Sequence, residues 1–399
     1  MTPAKVFLRR LSAFLIFINI ILAVTAVALA VTGGRKFLSD TPETEAKAQS
    51  STAAEPSINI AEVPSSEIQE RETALPEAVS EEPIKLLFGG DVYLSSYVLS
   101  AYDKGGIEGN IDESFRALSE SADLFFVNEE FPFSERGTAE EDKEFTFRVA
   151  PSRVNILKEM GVDGVSLANN HILDFGTEAL SDTIATLKNA GISYTGAGSD
   201  RDEAMEAVIF EKNGKKVAVL GATRVMPFAG WAVGSGSPGV FAAYDAYKAL
   251  FLGRIEELSQ SCDYVVVYMH WGTERKEEPE DYMRELSREI AAAGADLIVG
   301  AHPHVLQGTE YVGDVPVIYS LGNFLFGSSI PKTMLLEADI YPDEGRTELR
   351  IHPGTSAFGY TKALGSDEER VEFYEYYEGL SYGISLTEDG VIEKAQSEG

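Results

Sequence analysis

Five short, unbroken apolar runs, each ending at side chains that bind metals, constrain this chain more than any other feature. IKLLFGG (84–90) stops at Asp91, DLFFVN (123–128) leads into Asn128, Glu129 and Glu130, and GVSLA (164–168) leads into Asn169, Asn170 and His171. DYVVVYM (263–269) stops at His270, and DLIVG (296–300) leads into His302 and His304. Runs of this length without polar alternation suit strands covered on both faces by helices. Ligands of open α/β sheets bind outside the carboxyl ends of the strands, so these runs aim their polar residues at one place.

The segments between them complete an α/β pattern. PSRVNILKEMG and GTEALSDTIATLKNAG carry apolar residues three and four apart and end in Gly, as crossover helices do. RDEAMEAVIF is a weaker helical pattern, while KKVAVLGAT and VPVIYSLGNF read as two more strands. Repeating βα order predicts right-handed crossovers and a mainly parallel core. Beyond Ile330, MLLEADIY and TELRIHPG read as a hairpin, Ser366 and Glu369 as a capping box, and GISLTEDGVIEK as a final hairpin. Residues 84–399 form one domain on this reading.

Asp, Glu, Asn and neutral His are oxygen and nitrogen donors suited to divalent Mn, Fe, Zn or Mg, one or two ions. Of five histidines in the chain, His171, His270, His302 and His304 fall at strand ends, a sorting that scattered core histidines do not give. Pro303 stiffens the link between His302 and His304. His352 stands outside the pattern and reads as structural. The single cysteine, Cys262, allows no internal disulfide and reads as a core residue. A formal net charge of −31 argues against nucleic acid as a partner.

Residues 1–36 read as a membrane anchor. Leu11 to Thr32 carries no charge and is long enough to cross a ~30 Å hydrocarbon core. Lys5, Arg9 and Arg10 precede it and Arg35 and Lys36 follow, which favours a cytoplasmic N-terminus and an extracytoplasmic domain on a single span. A cleaved signal peptide, with small residues at Ala28 and Ala30, is the alternative. Residues 37–83, rich in Glu, Ser, Thr, Ala and Pro, read as a disordered acidic tether.

FGGDVYL, VNEEF, SLANNHILDFG, MHWGTE, GAHPHVLQGTE and YSLGNFLF, in this order, resemble the successive signatures of the capsule synthesis protein CapA family. That family is similar to calcineurin-like metallophosphoesterases, so the resemblance implies a two-sheet sandwich flanked by helices. It also implies a role in capsule or poly-γ-glutamate production, alongside other subunits of a polymer synthesis complex, with a metal-dependent hydrolase-like centre or as a non-catalytic accessory subunit. By position, Asp91, Glu130, Asn170, His270, His302 and His304 match metal ligands, Glu130 as a bridging carboxylate, and His171 matches the residue that acts on the leaving group. Two departures stand out. The first motif of the phosphoesterases is Asp-x-His, but Tyr93 follows Asp91 here; the second motif lacks its Gly-Asp pair, which leaves Glu129 as an alternative to Glu130. Arg148, Asn128, Trp271 and Glu274 are candidate substrate contacts, with a surface ion pair for Arg148 and core packing for Trp271 as the competing roles.

Overall fold

In β1 (Ile84–Val92), Leu86 and Phe88 enter one apolar cluster and Leu87 another, as a strand covered on both faces requires. The computed structural model describes residues 82–234, 236–327 and 329–395. The apolar segment 11–32 and the acidic stretch as far as residue 81 lie outside the described residues, and among the described residues no helix is long and apolar enough to cross a membrane.

β2 (Leu124–Glu129), β3 (Gly164–Ser166) and β4 (Ser193–Thr195) follow β1 in parallel, with crossover segments between them. After a short β5 (Ala197–Gly198), β6 (Val208–Lys212) and β7 (Lys215–Thr223) open a second sheet. β8 (Gly239–Val240) pairs with β5, and β9 (Tyr264–His270), β10 (Leu297–Ala301), β11 (Leu306–Val312) and β12 (Val315–Leu321) complete the second sheet in the order β11-β12-β10-β9-β7-β6. The chain then returns to the first sheet through β13 (Asn323–Leu325), β14 (Ser329–Tyr341), β15 (Arg346–Ala357) and β16 (Tyr360–Ala363), giving the order β16-β15-β14-β1-β2-β3-β4. β17 (Ile384–Leu386) and β18 (Ile392–Lys394) form the expected last hairpin, after a helix Asp367–Leu380 that opens on the Ser366–Glu369 capping box.

The two sheets face each other across Phe88, Phe126, Val266, Tyr268, Val299 and Leu336. Helices Glu113–Ser121 and Gly176–Ala190 cover the outer face of the first sheet with Phe115, Leu180 and Leu187. Helices Lys248–Ser259 and Asp281–Ala292 cover the second with Phe251, Ile255, Leu286 and Ile290. Each sheet keeps a parallel centre, as expected, but carries antiparallel strands at its flanks: β14 to β16 on the first, β6 and β11 on the second.

Two local expectations change and a third holds. Only Arg201–Ala204 of RDEAMEAVIF is helical; the VIF that follows starts β6, which turns into β7 through Asn213 and Gly214, both at positive φ (54° and 75°) as a tight hairpin requires. Cys262 is only partly buried. His352 is structural as expected, with Nε2 2.6 Å from Glu337 Oε2 across β14 and β15.

Candidate metal centre

The end of β1 is re-aimed by two glycines. Pairing of β1 with β2 shifts register between Phe88 and Asp91, where Gly89 and Gly90 stand. A Cβ on Gly90 would lie 1.9 Å from the Gly322 carbonyl oxygen, so the FGGD and SLGN segments can meet only because position 90 lacks a side chain. Asp91 then points into the space between the sheets, where its carboxylate accepts from Asn128 Nδ2 at 2.8 Å and from the His302 backbone N–H at 3.2 Å, and lies 3.2 Å from His304 Nδ1.

Strand alternation in β2 places Asn128 on the side of Phe126, facing the second sheet, and Glu129 on the side of Val127, among the outer apolar residues. Glu130, one residue past the strand, faces the histidines. Its Oε1 lies 3.9 Å from His171 Nε2, 3.9 Å from His270 Nε2 and 3.8 Å from His304 Nε2. Glu130 therefore resolves the choice between adjacent carboxylates, while both Glu129 oxygens are buried without a partner among the described residues.

His302 and His304 have φ of 97° and 59°, a conformation that costs free energy in any residue but glycine and is retained where side chains must be aimed. The loop is held by the Arg275 backbone N–H donating to the Pro303 carbonyl at 2.7 Å. His304 Nδ1 lies 2.8 Å from Asn323 Oδ1, which leaves Nε2 toward Glu130. His270 is flanked by Asn128 Nδ2, 3.3 Å from its Nδ1, and by Asn170 Oδ1, 2.8 Å from its Nε2. Asn169 ties the shell together, donating to Asn128 Oδ1 at 3.1 Å and to the Glu129 carbonyl at 2.8 Å.

Burial holds His270 well below the usual histidine range, with the charges of His302 and His304 adding to the effect. Burial, with the charge of His304, brings His302 down to about 3. Neutral imidazoles are the form that ligates metals. Burial opposes protonation of His304 too, but the charge of Glu130 and contact with Asp91 raise it to about 10. Burial and the neighbouring Asp91 push Glu130 well above the usual carboxylate range.

Donor geometry fits cations. Glu130, His270 and His302 each offer one atom within 4.8 Å of one another, and so do Asp91, Glu130 and His304; Glu130 belongs to both groups. Glu130 Oε1 and His302 Nδ1 are buried with no hydrogen-bond partner among the described residues, the state expected of atoms meant for a Lewis acid. The donors are oxygen and nitrogen without a thiolate, which suits hard or borderline divalent ions and leaves the element open.

His171 stands at the edge of this cluster. Its Nδ1 lies 2.7 Å from Asp174 Oδ2, its backbone N–H donates to Asn169 Oδ1 at 3.0 Å, and its ring stacks on Phe147 at 4.1 Å. Burial lowers its pKa, and the hydrogen bond to Asp174 opposes that.

The candidate substrate contacts separate. Asn128 is fully buried and braces Asp91 and His270. Trp271 belongs to the outer core of the second sheet, its Nε1 donating to the Tyr319 carbonyl at 2.9 Å, because His270 and Trp271 point to opposite faces. Arg148 is exposed, lies over the Phe175 ring at 4.0 Å and donates to the Arg136 carbonyl at 3.2 Å, and it forms no ion pair among the described residues. Glu274 remains exposed, near enough to Lys143 to act on its charge. Two residues were missed. Asn323 follows the strand-like VIYSLG, where a turn residue is the plainer reading, and the only signal for Lys143 is its place as the one cation in EEDKE.

A phosphatase of known structure from Mycoplasma pneumoniae aligns over 69% of this chain and 93% of its own, at 14% identity and a TM-score of 0.43. The PGA biosynthesis protein CapA of Bacillus subtilis is 32% identical over 264 residues, covering 66% of this chain and 68% of the relative. The capsule biosynthesis protein CapA of Bacillus anthracis is 30% identical over 73% of this chain and 72% of its own. The model of the bacterial capsule synthesis protein family PGA_cap matches residues 85–328. Most of the described domain, including every donor of the centre, falls within that match, and the chain belongs to the bacterial capsule synthesis protein family.

Proposed function

We propose that this chain is a membrane-anchored, extracytoplasmic component of the synthesis or export of a poly-γ-glutamate-type capsule polymer, and that its centre is a divalent-metal hydrolase. The observation that carries the hydrolase reading is the buried, unpartnered Glu130 Oε1 within 3.8–3.9 Å of three imidazole Nε2 atoms. Asp91, Glu130, Asn170, His270, His302 and His304 would hold one or two cations. Bound cations would supply Lewis acidity and a water of lowered pKa. The chain's own part is to orient and to move protons: Asp174 holds His171 Nδ1–H, and His171 Nε2, facing Glu130, takes up a proton and, from the resulting imidazolium, delivers it to the leaving group.

Elemental analysis of the full chain under metal-replete conditions should find one or two divalent ions, and replacing His302 and His304 together by Ala should remove them. A metal-free parent would end this reading. Protease added to intact spheroplasts should remove residues 84–399; full protection would contradict the extracytoplasmic placement. A non-catalytic accessory role is the second reading, favoured by Tyr93 in the position where the phosphoesterase motif has a histidine. His171→Ala separates the two: it should keep the metal and lose roughly 10²–10⁴-fold in rate if the centre is catalytic, and leave polymer yield untouched if it is not.

A further inference from the structure

The loop of residues 134–149 crosses the His171 side of the centre as a strap. Its docking is extensive: the Glu140 N–H donates to the Asp174 carbonyl at 3.0 Å, Arg136 pairs with Asp182, and Gly137 sits so close to the Phe175 carbonyl that a Cβ would lie 1.9 Å from it. Within EEDKE the acidic neighbours stay at the surface or half-buried, while Lys143 turns inward with its side chain 11% exposed.

Lys143 Nζ donates to the Asn170 carbonyl at 2.5 Å and to Asp174 Oδ1, and lies 2.9 Å from His171 Nδ1. The Trp231 ring lies 5.5 Å from it. Two of the three ammonium hydrogens go to the Asn170 and Asp174 oxygens, and the lysine side chain is nearly covered. Its effect must run through Asp174. That carboxylate receives the Phe147 N–H at 2.6 Å and His171 Nδ1 at 2.7 Å on Oδ2, and Lys143 on Oδ1. Two of its three partners come from the strap.

His171 Nδ1 has one in-plane position and two claimants. A carboxylate oxygen at 2.7 Å would repel a lone pair there, so Nδ1 carries the proton and Nε2 presents its lone pair to the centre. Phe147, from the same strap, stacks on the imidazole with planes 17° apart and fixes its tilt. We propose that Lys143 is a positioning residue that fixes the tautomer and ring orientation of His171 through Asp174, an inference that rests on the hydrolase reading for its effect on rate.

The test uses the full chain labelled with ¹⁵N-histidine. After removal of metal, the imidazole ¹⁵N shifts of wild-type His171 should report Nδ1–H; an Nε2–H form would overturn the proposal without any variant. Lys143→Met should mix the two tautomers, and Lys143→Arg, which keeps donors for Asp174, should restore Nδ1–H. Metal-loaded K143M should hydrolyse the generic phosphodiester bis(p-nitrophenyl) phosphate with kcat reduced about 10- to 100-fold and KM nearly unchanged. Mn²⁺ affinity should stay within about threefold of the parent, whereas a loss beyond about tenfold would assign Lys143 to ligand support and overturn the proposal. Unchanged tautomer and kcat in K143M would also overturn it. A parent that neither binds Mn²⁺ nor hydrolyses the probe would defeat the hydrolase reading alone, and the metal-free tautomer measurement would still decide the role of Lys143.

Discussion

Tyr93 stacks on Phe147 with ring centroids 4.0 Å apart and planes 17° apart, and Phe147 in turn stacks on His171. The position that would supply a histidine ligand in the phosphoesterase motif instead ends an aromatic pile. Burial, then the charge of Asp174, raises the Tyr93 phenol above its ordinary pKa, so it stays protonated and is a poor ligand. The group Asp91, Glu130 and His304 has three donors and gains none from Tyr93. Mn²⁺ titration should therefore resolve a tighter and a weaker site, and Tyr93→His should tighten the weaker one by about tenfold. Calorimetry showing one unchanged affinity class in both proteins would count against this.

Gly90 and Gly105 make a paired test of where a methyl group fits. Alanine at 90 must displace the Gly322 backbone and should cost about 3 kcal/mol or more while disturbing the metal ligands. Alanine at 105, where a Cβ meets nothing within 4 Å, should change the denaturant midpoint little. Equal midpoints for the two variants would refute the close-approach argument.

Trp271→Phe should lower stability by about 1–3 kcal/mol, since the Tyr319 carbonyl loses its donor and the smaller ring leaves a void. Metal content should be unchanged. A variant with normal stability and lost polymer yield would return Trp271 to the substrate.

Glu203 gives a pH signature away from the centre. Burial raises its carboxyl, but hydrogen bonds from Lys188, Ser199 and Tyr194 outweigh this and bring it down to about 2. Its folded value thus lies below the ordinary 4.5, so the stability it contributes is present above pH 4.5 and is lost as pH falls toward 2. Glu203→Gln should cost on the order of 1–2 kcal/mol at pH 7 and match the parent near pH 2. Unfolding curves separated equally at both pH values would show that the charge is not responsible.

The strand ends were legible because burial on both faces writes itself as unbroken Val, Ile, Leu and Phe, and because the histidines stand where those runs stop. The direction of a side chain was harder to read. His270 and Trp271 are adjacent in sequence and equally suggestive, and only the alternation of β9 relative to its helices sends one to the centre and the other to the core. Lys143 was invisible for a different reason: a lysine in an acidic run reads as solvated, and its burial depends on how residues 134–149 fold back over Asp174, a contact between segments that periodicity does not encode. The β14–β15 hairpin was legible, but its antiparallel seat on β1 escaped, since β14 joins β1 across most of the domain's length.

Asp91 and Glu130 issue from the first sheet, His270 and the His302–His304 loop from the second. A cation held between them would act as a rivet through layers that otherwise meet mainly by apolar packing. Its binding free energy would then be shared by the whole sandwich, about 2.7 kcal/mol when free metal is a hundredfold above Kd. Amide exchange in β2 and β9 should slow together as metal is added, so that the domain's rigidity reports the divalent ion supply of its surroundings.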